Sequence, residues 1–352
     1  MNLLLTITTL LIALGLMAQR DASFTTCYNY TVPISAKANA ALRVGPGTNL
    51  DSTTHKRLVT SILDIVRSKK VQLYSAAIDE YEDYAPDKTY KVAIPPTEYD
   101  SLLMEIYLEP RFDDNGEATH WDTFGSTYHL EDYVSITFNE VWSYSYLHLD
   151  VKVLGLCLNV HSYNDLGDID GYRELFYLPL NQAQSGRKTK SLVQNSIVST
   201  VTLDDINTEY LSPLWWVNHL ELSKRYTLFE PILENSRSNK LTVFQPSYPY
   251  TVPLSKAEGI DKNCYALTSP KLDDYGDEIY DITGEPVLDT ETFDLVYYDI
   301  GSVSLVADWY FDPENLVFEK DVKGIIPNEM MFDENDNYIG NQPLYFVPFS
   351  GK

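Results

Sequence analysis

The residues that could perform chemistry are scattered along the chain and match no catalytic motif. His120 and His129 flank Asp122 in a predicted loop, where they could bind a metal ion. However, the sequence contains no His-Glu-X-X-His motif and no cysteine–histidine cluster with zinc spacing. Solvated or locally hydrogen-bonded histidines are the simpler interpretation. The nucleophile elbow, the P-loop and the dinucleotide-binding glycine motif are also missing from the sequence.

Two acidic loops, at 165–174 and 333–340, look like calcium-binding loops but lack the required pattern. When Gly171 is placed at the glycine position of an EF-hand loop, Leu166 and Tyr177 take the first and twelfth positions, where acids are needed. We therefore predict that both loops are hairpin turns, and we assign no metal and no cofactor.

Acidic clusters are frequent because the chain carries 51 Asp and Glu against 26 Lys and Arg, a formal charge of −25. Pairs such as Glu80/Glu82 and Asp273/Asp277 could serve glycoside hydrolysis only if they faced each other across a cleft. An acidic chain supplies such pairs everywhere, so no catalytic residue is assigned. The same charge repels phosphate backbones and argues against nucleic-acid binding. A solvated acidic surface of a soluble protein is the simpler interpretation, and a cationic partner is the alternative.

Aromatic residues make up 13% of the chain, with 27 tyrosines, so it can form a substantial core and still expose aromatic surface. Trp215 and Trp216 are the candidate interaction residues, because aromatic side chains bury large areas at contacts with proteins or sugars. Packing of this pair between two domains is the alternative.

The first segment is predicted to direct export. An apolar run from Leu3 to Leu16 is too short to span a bilayer comfortably and is followed by small residues, which predicts a signal peptide at 1–19. A retained anchor is the alternative, because no Lys or Arg precedes the run. No later stretch of sequence could span a membrane, and residues 20–54 form an N-terminal segment.

The chain contains three cysteines, and the sequence alone does not show whether two of them form a disulfide. Cys157 alternates with apolar residues on a predicted strand and is expected to be a buried thiol. Cys27 and Cys264 could pair.

The remaining sequence contains an internal repeat. The stretch RLVTSILDIVRSKKVQLYSA at 57–76 corresponds to TLFEPILENSRSNKLTVFQP at 227–246. Further pairs follow in the same order, namely Trp142 with Trp309, Gly155 with Gly324, and Pro179 with Pro348. This order predicts two tandem modules, at 55–181 and 226–350, joined by a linker at 182–225.

Each module is predicted to be α+β, a small antiparallel sheet with a covering helix. Leu58, Val59, Ile62, Leu63 and Val66 form one helical stripe. Alternating apolar and polar residues then predict antiparallel strands that bury one face.

Local signals give the ends of the elements. In the second module, Thr227 and Glu230 fit a capping box that places Pro231 in the first helical turn. Pro179 and Pro348 predict a strand end or an edge strand.

The second module resembles the GldN/PorN family of gliding-motility and type IX secretion proteins. Three blocks carry the resemblance. Trp309, Phe311 and Asp312 match the first block, Lys323, Gly324, Ile325 and Pro327 the second, and Leu344 to Pro348 the third. The first module matches at Trp142, Leu154, Gly155 and Leu175 to Pro179.

The resemblance implies a periplasmic, non-enzymatic structural subunit that assembles with an outer-membrane lipoprotein into a ring of the secretion machinery of Bacteroidota. We therefore expect a scaffold protein of the envelope that requires no cofactor and is a possible homo-oligomer. The module occurs twice here, which departs from the family pattern. The alternative expectation is an envelope hydrolase or a glycan-binding protein with its site between the modules.

Overall fold

The chain forms two compact units in the computed structural model. One unit comprises 1–220, 303–324 and 349–352, and the other comprises 221–302 and 325–348. The described residues are 23–34, 50–76, 90–112, 118–145, 147–163, 166, 168–181, 191–203, 220–273, 275, 277–333 and 337–349. The predicted signal peptide and the Trp215–Trp216 pair lie outside these ranges, so both stay predictions.

The structure is α+β, with mostly antiparallel strands and few helices. The helices are α1 (Ser52–Ser68), α2 (Tyr99–Leu102), α3 (Leu222–Arg237) and α4 (Lys256–Asp261). The strands are β1 (Ser23–Pro33), β2 (Met104–Phe112), β3 (Ala118–Thr127), β4 (Tyr133–Ser145), β5 (Leu149–Tyr163), β6 (Ile169–Pro179), β7 (Leu192–Thr202), β8 (Cys264–Pro270), β9 (Leu288–Asp294), β10 (Ile300–Asp312), β11 (Val317–Phe332), β12 (Tyr338–Pro343) and β13 (Val347–Pro348).

The main sheet of the first unit has the strand order β1-β4-β5-β11-β10-β7, with β6 paired to β5. Strand β1 runs antiparallel to β4 from Ser23↔Ser145 to Pro33↔Ser135. Strands β10 and β11 contribute their residues 303–312 and 317–324 to this unit. In the second unit, β12 and β13 pair with β11. Pro179 and Pro348 end their strands, as predicted.

Parts of the central strands bury both faces, so the prediction of one buried face holds only locally, as at Leu149–Val153 of β5, where alternate residues are exposed. Residues 133–140 of β4 are buried without interruption, including the polar side chains of Ser135 and Thr137. The amide of Asn159 donates to both hydroxyls, at 3.1 and 2.9 Å. In the second unit, the Asn328 amide donates to the Ser302 hydroxyl at 3.0 Å. Hydrogen bonding between strands offsets part of the cost of burying these polar side chains.

Helix α1 follows its sequence pattern. The predicted apolar stripe is buried, and the carboxylate of Asp51 caps the first turn by accepting from the Thr54 N–H at 2.8 Å. The helix ends at Ser68 and is followed by Lys69, a C-cap residue whose φ of 56° lies in the left-handed region.

Helix α3 differs from its prediction because it begins at Leu222, before the expected capping box. Thr227 is inside the helix, where its hydroxyl donates to the Ser223 carbonyl at 2.9 Å, and Pro231 is an interior proline. The added turn contains Arg225, a buried residue whose guanidinium donates to the Ile300 carbonyl at 2.8 Å. This long-range contact stabilises the added turn, so the helix begins before the capping box that the local sequence predicts.

Gly155 has a packing role. It pairs with Pro179 in the β5–β6 ladder, and the buried ring of Tyr177 lies over its Cα, where a Cβ would overlap the ring. Tyr177 is in turn stacked on Tyr90, with ring centroids 3.7 Å apart. The ring therefore has little room to move away.

We predict that Gly155→Ala destabilises the protein by about 2 kcal/mol or more, because the added methyl group overpacks the core. Gly171→Ala is the matched control, since a Cβ at Gly171 meets no atom within 4 Å. Urea unfolding of both variants measures the difference. Equal stabilities would contradict the packing role of Gly155.

His55 makes stability depend on pH. Its ring is buried, and Nε2 lies 2.9 Å from the Tyr133 carbonyl oxygen. Burial lowers the pKa of His55 below its ordinary value. The unfolded chain, with a histidine pKa of about 6.5, then binds the proton more readily. The stability contributed by neutral His55 is complete above that pH and is lost as the pH falls below it.

We expect His55→Gln to lose less unfolding free energy than the wild type when the pH is lowered from about 7.5 to about 5. Urea titrations at both pH values measure the two losses. A loss of the same size in both proteins would show that His55 does not contribute to the pH dependence.

Candidate interaction surface

The β8–β9 hairpin of the second unit concentrates negative charge. Residues 264–294 contain nine Asp and Glu side chains and one basic residue, Lys271. The strands pair from Cys264↔Asp294 to Pro270↔Leu288, and every residue of β9 is exposed. This hairpin has little core of its own, so its surface composition is free to serve binding.

The tip of the hairpin is ordered by its own acidic side chains. Oδ1 of Asp273 accepts the Asp277 N–H at 3.0 Å. Oδ1 of Asp281 accepts the N–H groups of Thr283 and Glu285 at 2.7 and 3.1 Å. The hydrogen bond from the Thr283 hydroxyl, together with those from the two N–H groups, lowers the pKa of Asp281. The turns thus keep both their shape and their charge.

Large apolar side chains accompany this charge. Tyr265 and Phe293 stack with their centroids 5.5 Å apart and are 39% and 38% exposed. Further exposed apolar or aromatic residues of the hairpin are Leu272, Tyr275, Tyr280, Ile282 and Leu288. Exposed aromatic residues beside charge are typical of protein-binding surfaces.

Asn263 fixes the base of the hairpin. Its buried amide donates to the Ser236 hydroxyl at 3.0 Å and to the Gly259 carbonyl at 2.5 Å, and it accepts from the Tyr345 hydroxyl at 2.7 Å. The Arg237 guanidinium also lies 3.2 Å from the Asp294 carboxylate. The hairpin is therefore anchored to the helices of its own unit.

The β2–β3 hairpin of the first unit has a similar character. Residues 104–127 contain six acidic residues and one basic residue, Arg111. Ile106 and Phe124 are 52% and 45% exposed. Each unit thus carries one acidic hairpin with exposed apolar side chains.

The module signature residues lie in the sheets or in their turns. Trp142 and Trp309 are fully buried, and Phe311 is nearly so. Gly324 and Pro327 belong to β11, and the Asp312 carboxylate accepts the Glu314 and Asn315 N–H groups in the β10–β11 turn. These residues shape the fold.

Among the described residues, no group of three His, Cys, Asp or Glu side chains could hold a metal ion. His129 is exposed, and the His120 side chain is outside the described set. The described helices include none that is long and apolar enough to cross a membrane. Cys157 is buried as predicted, and all three cysteines are free thiols.

Of the acidic pairs considered for hydrolysis, Asp273 and Asp277 lie in the exposed turn of the β8–β9 hairpin. Glu80 and Glu82 lie outside the described residues.

A buried charged cluster in the first unit was missed at the sequence level. Lys320 Nζ on β11 lies 2.7 Å from Oε1 of Glu140 on β4, and both side chains are fully buried. Nζ also donates to the Tyr30 hydroxyl at 2.9 Å, and it lies 3.2 Å from the Phe138 ring centroid. Oε2 of Glu140 accepts from the Trp142 indole N–H at 2.8 Å. Burial lowers the pKa of Lys320 to about 8, against the opposing effect of Glu140.

The sequence did contain a signal for this cluster. Glu140 stands between Phe138 and Trp142, and Lys320 follows Phe318 by two positions. Charged residues of opposite sign thus occupy positions that the strand period assigns to the apolar face. The cluster is sealed from solvent, so it gives no access to an external substrate.

We predict that Lys320→Met destabilises the protein by about 3–5 kcal/mol, because it leaves Glu140 buried without a cationic partner. The double variant Lys320→Met/Glu140→Leu should be more stable than this single variant. Denaturant unfolding measures both. A double variant that is less stable than the single variant would contradict this interpretation.

No protein-family model matches the chain, and no similar protein was found among the curated ones.

Proposed function

We propose that this protein is a non-enzymatic scaffold subunit of the bacterial envelope that binds a basic partner through its acidic hairpins. The observation that carries the proposal is the β8–β9 hairpin, which contains nine acidic residues and exposes aromatic side chains. An exposed surface with both features favours association with a positively charged protein. Its turns are ordered before binding, which lowers the entropic cost of association.

We further propose that the chain is a tandem duplication, and several paired features support this. Helices α1 and α3 are each followed by an isolated bridge residue, Tyr74 or Phe244. Tyr74 pairs with Tyr177, and Phe244 pairs with Phe346. A two-stranded hairpin and then a long hairpin follow each helix in the same order.

Backbone details support the same proposal. Lys69 and Asn239, which follow the two helices, both have φ near 56°. Leu147 and Leu316, in the turns of the long hairpins, have φ of 55° and 53°. Positive φ is uncommon for residues other than glycine, so its recurrence at paired positions favours a common origin.

The cellular location and the machinery in which the protein acts are proposed from the sequence. The apolar first segment favours export to the periplasm. The resemblance of both modules to the GldN/PorN family favours a role in the type IX secretion and gliding machinery, with an outer-membrane lipoprotein as the partner. A periplasmic ring subunit needs extended contact surfaces, and the acidic hairpins supply them.

We predict that the full-length protein co-purifies with a basic envelope protein and that this association weakens as salt is raised. The triple variant Asp277→Asn/Asp289→Asn/Glu291→Gln should reduce recovery of the partner by about tenfold or more, since it removes three exposed charges of one hairpin. The measurement is quantitative mass spectrometry of affinity-purified envelope fractions.

The matched control neutralises three exposed acids elsewhere, as Asp64→Asn/Glu234→Gln/Glu314→Gln. Equal partner recovery by both triple variants would contradict docking through the hairpin. A wild-type protein released into the medium as a monomer without an envelope partner would contradict the scaffold function itself.

A further inference from the structure

We propose that Lys320 and Glu140 condense into an intramolecular isopeptide bond. The inference rests on the buried cluster of the first unit and is independent of the proposed function. It assigns a covalent modification to two side chains that lie on strands β11 and β4, on either side of β5.

The amine of Lys320 and the carboxyl group of Glu140 lie close together. Strands β4 and β11 are separated by one strand, a distance of about 10 Å that a lysine and a glutamate side chain can span together. Lys320 Nζ lies 2.7 Å from Oε1 of Glu140. Nζ is thus within contact distance of the carboxyl group that it would attack.

Both side chains of the pair are buried away from bulk solvent. The rings of Tyr30, Phe138 and Trp309 lie within 5.0 Å of Nζ. In water, an amine and a carboxylic acid persist as ions because hydration stabilises their charges. Burial removes this hydration and penalises the ions, whereas the amide product carries no charge. Fixed proximity supplies a further large advantage over a reaction between separate molecules.

The condensation requires transfer of protons from the ammonium group and loss of one carboxyl oxygen as water. The ammonium first transfers a proton to the carboxylate, which gives a neutral amine and a carboxylic acid. The Nζ lone pair then attacks Cδ of Glu140, and the bond from Cδ to Oε1 breaks. Oε1 leaves as water with two of the three original ammonium protons, and the third proton stays on the amide nitrogen.

Two side chains are placed for these steps. The Trp142 indole N–H donates to Oε2, the oxygen that becomes the amide carbonyl. The Tyr30 hydroxyl accepts from Nζ at 2.9 Å and also interacts with the Glu140 carboxylate. Burial raises the pKa of Tyr30, so its hydroxyl stays protonated and can pass a proton from the nitrogen to the leaving oxygen.

The bond would close a covalent loop between residues 140 and 320 within one chain. Cross-links over long loops stabilise a protein mainly by restricting its unfolded state. All three cysteines are free thiols, so the structure contains no disulfide with this role.

The test is the mass of the denatured full-length protein after export, with its N-terminus defined by sequencing. We expect the wild type to be lighter than its sequence by one water, about 18 Da. Digestion should yield a branched peptide that joins the segments containing Glu140 and Lys320. Lys320→Arg keeps the positive charge but cannot form the amide under these conditions, so it should have the full mass.

Lys323→Arg is the matched control, because Lys323 lies on the same strand but is partly exposed and pairs with Asp308 at 3.4 Å. It should keep the mass deficit of the wild type. Tyr30→Phe should form the bond on the order of 100-fold more slowly if the hydroxyl relays a proton. A wild-type chain of full mass, with separate peptides for residues 140 and 320, would overturn the proposal even if the Lys320 variant failed to fold.

Discussion

The burial of two side chains that lie together, Lys320 and Glu140, constrains the register of the strands in the first unit. The pair is sealed from water, so every polar neighbour must come from the protein. Strand β1 supplies Tyr30, β4 supplies Trp142 with Glu140, and β11 supplies the lysine. A shift of any of these strands by one residue would turn its side chain to the opposite face. The register of three strands is thus tied to one cluster.

Buried polar side chains on the central strands also constrain which strands pair and in which register. Asn159 hydrogen-bonds to two hydroxyls on β4, and the Asn139 amide donates to the Asn29 side chain on β1 at 2.6 Å. These contacts specify which strands are neighbours, because a misaligned strand would leave buried polar groups unsatisfied. The β8–β9 hairpin is of a different kind, since local hydrogen bonds order its tip and most of its side chains face solvent. The buried polar side chains therefore specify the strand pairing, whereas the exposed side chains of the β8–β9 hairpin are available for binding.

Local patterns in the sequence predicted the parts of this structure that local forces determine. The apolar stripe of α1 and the burial of Cys157 follow from periodicity, and the strand end at Pro179 follows from the missing N–H of proline. The start of α3 was mispredicted because buried Arg225 extends the helix through carbonyl groups about 75 residues away in sequence. The burial of Ser135 depends on partners from other strands, which periodicity cannot supply. The sequence shows the charge of the β8–β9 hairpin, but only the structure shows that its side chains are exposed. The roles of Trp215 and Trp216 stay predictions.

The central claim is that the acidic β8–β9 hairpin contacts an envelope partner in the cell. Tyr275 is 91% exposed at its tip and suits replacement by a photo-cross-linking amino acid. Leu166, 86% exposed in the β5–β6 turn, is a matched position elsewhere on the surface. The account predicts that irradiation of living cells links the Tyr275 position, and not the Leu166 position, to a basic envelope protein. Equal labelling from both positions, or no protein adduct at Tyr275, would contradict it.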